Sequence, residues 1–317
     1  MAGMTNEPEV ARLVVRGIGD LLDVVPALLG FHPADSLVAV LLVDGRVKVT
    51  ARLDLCDATD AGHLDLSLGP LLSRFPSATW FWVAYTSDAG AAWEALEVAV
   101  SFLPWEVDFE TVHVADHRWF LSPDDPGVSH DPTCSALAAE AAYQGLRVLP
   151  DRNEIARTLR SVAKDDDLER ALAGVIRLQP AEAVSRALEL VTASMRTGAA
   201  IDLGAAALLA VAAHSPSFAD AVITGIDRAN ARRAQQLWAG VVRGTHARTG
   251  GAAAVILGMA AWVSGDGALQ NVCLDLAEPF VPESPWFRFL ELANRVALPP
   301  SEWEGVRLDL LQGLGAA

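Results

Sequence analysis

The sequence predicts an α/β unit over residues 1–150, a mixed sheet with hairpins covered by helices, followed by an all-helical unit over residues 151–317. Three observations carry this. In the first part, β-branched and aromatic runs alternate with leucines at helical spacing. After Pro150 the β-type runs stop, and segments of helical period are separated by Pro and Gly. Charge is divided too: residues 1–150 hold 8 Lys and Arg against 21 Asp and Glu, and residues 151–317 hold 16 against 19, so the net −16 splits into −13 and −3.

In chain order, Ala11 to Arg16 reads as a short β-type run, and Asp20 as the cap of a helix over Leu21 to Leu29 that Gly30 stops. Ser36 to Val43 is continuously apolar and Arg46 to Leu55 alternates. The Asp44-Gly45 pair between them is the signature of a tight type I′ hairpin. Leu64 to Phe75 has helical leucine spacing and ends at Pro76. Thr79 to Tyr85 reads as a buried strand, and Ala89 to Leu103 as an amphipathic helix closing at Pro104. Phe109 to Val114 and Arg118 to Leu121 form a second hairpin turning at Asp116-His117, and a helix over Ser135 to Leu146 ends this unit.

Ten helices are expected beyond Pro150, at about 153–163, 166–176, 181–196, 202–213, 216–227, 229–243, 251–264, 266–278, 284–296 and 301–313. Asp151 and Glu154 stand at capping-box spacing for the first. Short links between short helices suggest stacked helical pairs. Gly265, Ala277 and Pro282 fall at the mutual offsets of a tetratricopeptide repeat, with Gln270 at a position that calls for a small residue. The expectation is a helical-hairpin array with a tetratricopeptide-like segment near 251–282.

Composition narrows the function classes. A hydrophobic content of 52 % excludes disorder. The negative field of the first unit repels phosphate backbones, which disfavours nucleic acid as its partner. Three separated cysteines, Cys56, Cys134 and Cys273, give neither a disulfide framework nor a zinc pattern, which points to a reducing compartment. No signal peptide is read at the start, and the most apolar window, Gly251 to Val263, is too short for a bilayer. The expectation is a soluble, cytoplasmic chain with no membrane role and no cofactor or resident metal.

The run VPALLGFHPADSLVAVLL (25–42), followed by VKVTARLDL (47–55), resembles the opening of an actinobacterial family, domain of unknown function 4192. Val114 to Phe120 with its Arg118-Trp119 pair, LPDRNEIARTL (149–159), GDGAL (265–269) and LPPSEW (298–303) fit the same family. The resemblance covers nearly the whole chain and implies kinship without an activity to transfer. Relatives often carry cysteines just after the Arg-Trp pair, whereas residues 122–130 here carry none.

Candidate chemistry is sparse. His32, Asp35 and Ser36 sit in one loop at a sheet edge and offer a base, an orienter and a hydroxyl; the structural alternative is that Pro33 sets a turn and Asp35 or Ser36 satisfies backbone N–H groups. His113, Asp116, His117, His130, Asp131 and Cys134 have ligand chemistry but no tight metal spacing. Asp124-Asp125 and Asp165-Asp166-Asp167 read as solvated turns or helix-end acids. No acidic residue occurs from Arg228 to Gly265, while Arg228, Arg232, Arg233, Arg243 and Arg248 do, so this stretch could face an anionic partner or the acidic first unit. Trp80 and Trp82 belong to one sheet face with Phe81 opposite, a core pattern.

No Walker A, GxGxxG, GxSxG or HExxH motif occurs. The leading expectation is therefore a non-enzymatic protein-binding or scaffold protein that uses its helical array, with homo-oligomers allowed. The alternative is a small-molecule- or metal-binding enzyme or sensor, with a pocket between the halves lined by His32, Asp35, Arg52, His117, Asp124 and Asp125. Nucleic-acid binding through the arginines ranks last.

Overall fold

A computed structural model describes residues 16–132, 135–143, 148–161 and 163–315. The chain divides into two compact units, Met1–Arg152 and Asn153–Ala317. The proposed β-type run at Ala11 lies outside the described residues apart from Arg16.

The first unit begins with α1 (Ile18–Leu29). Asp20 does not cap it: Gly17 is the N-cap, and Asp20 sits in the first turn, its carboxylate accepting the Arg16 N–H at 2.8 Å. Gly30 closes the helix at φ 80°, a conformation that suits a residue without Cβ. β1 (Ser36–Val43) and β2 (Arg46–Asp54) follow, joined at Asp44 (φ 53°) and Gly45 (φ 68°), both left-handed as a type I′ turn requires. Next come α2 (Ala61–Arg74), capped by Asp60, then β3 (Thr79–Tyr85) and α3 (Ala89–Phe102), capped by Asp88. β4 (Phe109–Ala115) and β5 (Arg118–Phe120) turn at Asp116 and His117, both at positive φ. β6 (Val128–Ser129), too short for a periodicity signal, and α4 (Ala136–Tyr143) complete the unit.

The sheet order is β2-β1-β3-β4-β5-β6. Only β3 and β4 are parallel, and α3 supplies their crossover; every other neighbour pair is antiparallel. β3 is buried on both faces. Trp80 and Trp82, fully buried, stack at 5.2 Å and meet Phe102 of α3 edge-on. The end of the unit returns to its start, because Leu149 N donates to Gly30 O and His32 N donates to Leu149 O.

The described part of the second unit holds helices and no strands: α5 (Arg152–Thr158), α6 (Asp165–Ile176), α7 (Pro180–Thr197), α8 (Leu203–Ala212), α9 (Pro216–Thr224), α10 (Ala231–Arg243), α11 (Ala247–Ser264), α12 (Gly267–Ala277), α13 (Pro285–Arg295) and α14 (Trp303–Gly315). α5 stops short of residue 163. Ser161 turns the backbone by accepting the Ala163 N–H, the local competition with helix that serine favours. Asp165, Asp166 and Asp167 form the first turn of α6, where their charge meets the positive end of the helix dipole.

α11 is the centre of this unit. Every residue from Gly250 to Val263 is buried, so the most apolar window of the sequence is a core helix. Its glycines permit close approach: a Cβ on Gly258 would lie 3.0 Å from Leu290 and 3.2 Å from Cys273, and one on Gly251 would lie 3.0 Å from Phe280. Among the described residues no single helix is long and apolar enough to cross a membrane.

Candidate functional site

At one end of the sheet, a polar network gathers the residues flagged in the first unit. Asp35 takes φ 43°, its backbone carbonyl accepts the Leu55 N–H, and its carboxylate accepts the Thr86 hydroxyl at 2.9 Å. Ser36 is fully buried; its hydroxyl donates to Ala34 O at 2.6 Å and accepts from Arg52 Nε at 2.8 Å. Arg52 also pairs with Asp54 at 2.6 Å. Among the described residues no side-chain hydrogen bond joins His32, Asp35 and Ser36 to one another. The hydroxyl proton that a base would need to reach is directed to a carbonyl, and the carboxylate orients a threonine rather than a histidine.

The other flagged side chains separate. His113 is buried, donates from Nε2 to Thr86 O at 2.9 Å, stacks on Phe120 and meets Trp93 edge-on. His117 occupies the exposed turn after β4, which breaks the face it would share with His113. Asp125 organises its own loop, accepting Leu121 N at 3.0 Å and Gly127 N at 2.9 Å; these bonds hold its carboxyl below the usual value, aided by nearby Arg118. Arg118 donates to the carbonyls of Pro126 and Gly127. A Cβ on Gly127 would sit 2.4 Å from Phe120, so the loop needs glycine there. Asp124 is exposed. No group of three or more His, Cys, Asp or Glu that could hold a metal occurs among the described residues, and Cys134 lies outside them.

Composition gave no sign of a second cluster. Asp23 of α1 lies 3.6 Å from His130 Nδ1 and accepts a hydrogen bond from Ser135. Burial raises the Asp23 carboxyl above its ordinary value, with Ser135 and His130 opposing. The Tyr85 hydroxyl faces this carboxylate electrostatically. It is buried without a hydrogen-bond partner among the described residues, and burial pushes its proton affinity up.

Arg228, Arg232, Arg233, Arg243 and Arg248 are exposed, and two of them serve their own fold: Arg233 donates to Met195 O at 2.8 Å and Arg243 to Thr158 O at 3.5 Å. A concave feature of this unit lies elsewhere. A groove of about 330 Å³ opens between α9, α11 and the start of α13. Its floor is apolar, with Ala219 and Ile223 from α9 and Ala252, Val255 and Ile256 from α11. The alanines leave the room that longer side chains would fill. Around the rim stand His214, Asp220, Glu283, Ser284 and Trp286.

Two rim contacts fix its electrostatics. Trp286 Nε1 donates to Asp220 Oδ1 at 2.8 Å, pinning the carboxylate across the groove. Glu283 is neutralised by Arg288, whereas Asp220 has no cationic partner among the described residues. His214 Nε2 faces Thr249 O at 3.2 Å; a carbonyl only accepts, so Nε2 carries the proton and Nδ1 is left as an acceptor in the neutral ring. Sequence reasoning missed this site because its members come from three helices and two turns with no shared spacing.

A mixed six-stranded sheet with helices, followed by helices arranged round one buried helix, defines an α/β plus all-α protein. The chain belongs to the family described as domain of unknown function (DUF4192), whose model matches residues 19–301. No curated protein and no solved structure matches the chain.

Proposed function

We propose that this is a non-enzymatic, cytoplasmic binding or scaffold protein that engages a protein partner through its helical unit, with the groove between α9, α11 and α13 as the recognition site. The observation that carries this reading is the groove itself: an apolar floor, polar groups confined to the rim, and one carboxylate without a counter-ion among the described residues. Apolar surface supplies the driving force of association and rim polarity supplies register. The hairpin of α11 and α12, read as tetratricopeptide-like, belongs to the same picture, because stacked helical pairs present concave surfaces to partners. In this reading Gln270 replaces the small residue of the repeat by bonding to Asn294 at 2.8 Å.

The occupant that fits is a segment of another protein offering an apolar side chain together with positive charge, since the groove lining holds Asp220 and Glu283 but no Lys or Arg, and the whole chain is acidic. The test is capture from lysate by the full chain, by Ala219→Trp, which fills the groove, and by Asp220→Arg, which reverses the rim charge. A partner held at fixed stoichiometry by the wild type and lost by both variants, with helical circular dichroism and melting unchanged, supports the proposal. The same partner held equally by all three chains overturns it.

A further inference from the structure

The groove carries a more specific inference about what it recognises. We infer that it receives a lysine side chain of the partner, the aliphatic stem lying on Ile223, Val255 and Ile256 and the ammonium reaching Asp220 beside Trp286; this rests on the protein-binding reading above.

The argument is one of matching donors to acceptors. An ammonium carries three donors and accepts nothing. The rim offers acceptors on three separate elements: the Asp220 oxygen not engaged by Trp286, the Nδ1 of His214 in the α8–α9 turn, and the Ser284 hydroxyl before α13. Asp220 is the rim carboxylate without an ion-pair partner among the described residues, Glu283 being paired with Arg288. The indole of Trp286 lines the groove next to that charge and holds the carboxylate in place through its N–H. Below the rim the lining turns apolar, so a ligand must change from charged to aliphatic over a few bonds. A lysine side chain does this, burying its methylenes and keeping its head at the polar edge. A carboxylate would meet Asp220 with like charge, and a neutral aliphatic chain would leave Asp220 uncompensated.

Three short peptides isolate the ammonium: acetyl-Leu-Lys-Leu-amide, the same peptide with norleucine for lysine, and the same with glutamate. Binding is followed in the full ¹⁵N-labelled chain through the Trp286 indole N–H signal, assigned with Trp286→Phe. The lysine peptide is expected to bind at least about fivefold more tightly than the norleucine peptide, the scale of a favourable ion pair at a partly covered carboxylate. Asp220→Asn keeps an acceptor for the indole, so it is expected to leave the free Trp286 signal in place while removing the lysine preference. Equal binding of the lysine and norleucine peptides, or preference for glutamate, overturns the lysine assignment and leaves the apolar groove standing. Failure of all three peptides to move the Trp286 signal, with the wild-type fold intact, overturns the groove as a docking site and the lysine assignment with it.

Discussion

At the scale of single residues, the informative groups are carboxylates whose surroundings oppose their charge. Asp266 is the N-cap of α12, its carboxylate accepting the Leu269 N–H at 3.0 Å; the residue is exposed, but desolvation by the atoms crowding its carboxyl raises it above the usual value, opposed by that bond, by Gln235 and by Arg232. A carboxyl raised on folding favours the protonated native state. Its cost is therefore largest at neutral pH and disappears as pH falls below the unfolded value of 3.8. Asn keeps the cap without the charge, whereas Ala removes the cap. Asp266→Asn is expected to match or exceed wild-type stability at pH 7, with the gain shrinking toward pH 4. Asp266→Ala is expected to lose about 1 kcal/mol at low pH, where charge no longer contributes. Urea midpoints across pH measure both, and an Asn variant weaker than wild type only at neutral pH contradicts the desolvation argument. Asp266 was visible in the sequence as an acid after Gly265, but the atoms that crowd its carboxyl were not. The same holds for Asp23, whose neighbours His130 and Ser135 lie more than a hundred positions away.

At the scale of elements, local pattern was legible wherever it was also the deciding force. The Asp44-Gly45 and Asp116-His117 turns, the strand Thr79–Tyr85 and the ten helices of the second unit appear because turn chemistry and apolar period act over neighbouring residues. What pattern could not give is which helix would be central. The uniformly apolar face of α11 signals burial all round, yet its partners are set by glycines whose meaning is steric. Substituting the same residue at two helical glycines separates these effects. Alanine gains helix propensity at both sites, but Gly174 in α6 has open space beyond its Cβ position, while Gly258 meets Leu290 and Cys273. Gly174→Ala is expected to raise stability by about 0.5–1 kcal/mol. Gly258→Ala is expected to fall below that by about 1–3 kcal/mol through overpacking. Equal effects in chemical denaturation would mean that the α11–α13 contact gives way easily and does not position the groove floor.

At the scale of the whole molecule, each unit has its own reason to hold together. In the first, Leu149 bonds back to the Gly30–His32 segment, so the chain is tied to its beginning just before residue 152. In the second, α11 with its own Trp262 supplies the core, and Trp238, Phe218 and Trp303 are buried around it. Trp303 donates to Ile226 O at 2.7 Å and Trp262 to Leu298 O at 3.1 Å, so the last helices are tied to the middle ones by indole hydrogen bonds. Each of these contacts lies within residues 153–317. A fragment of residues 153–317 is accordingly expected to fold alone, giving a helical spectrum and one cooperative melt, and to retain the Trp286 indole signal of the full chain. A fragment of residues 1–152 is expected to show mixed α/β content. A helical fragment that melts without cooperativity, or exposes its tryptophans to solvent, would mean that the sheet unit completes the core around α11. The groove would then depend on both parts of the chain.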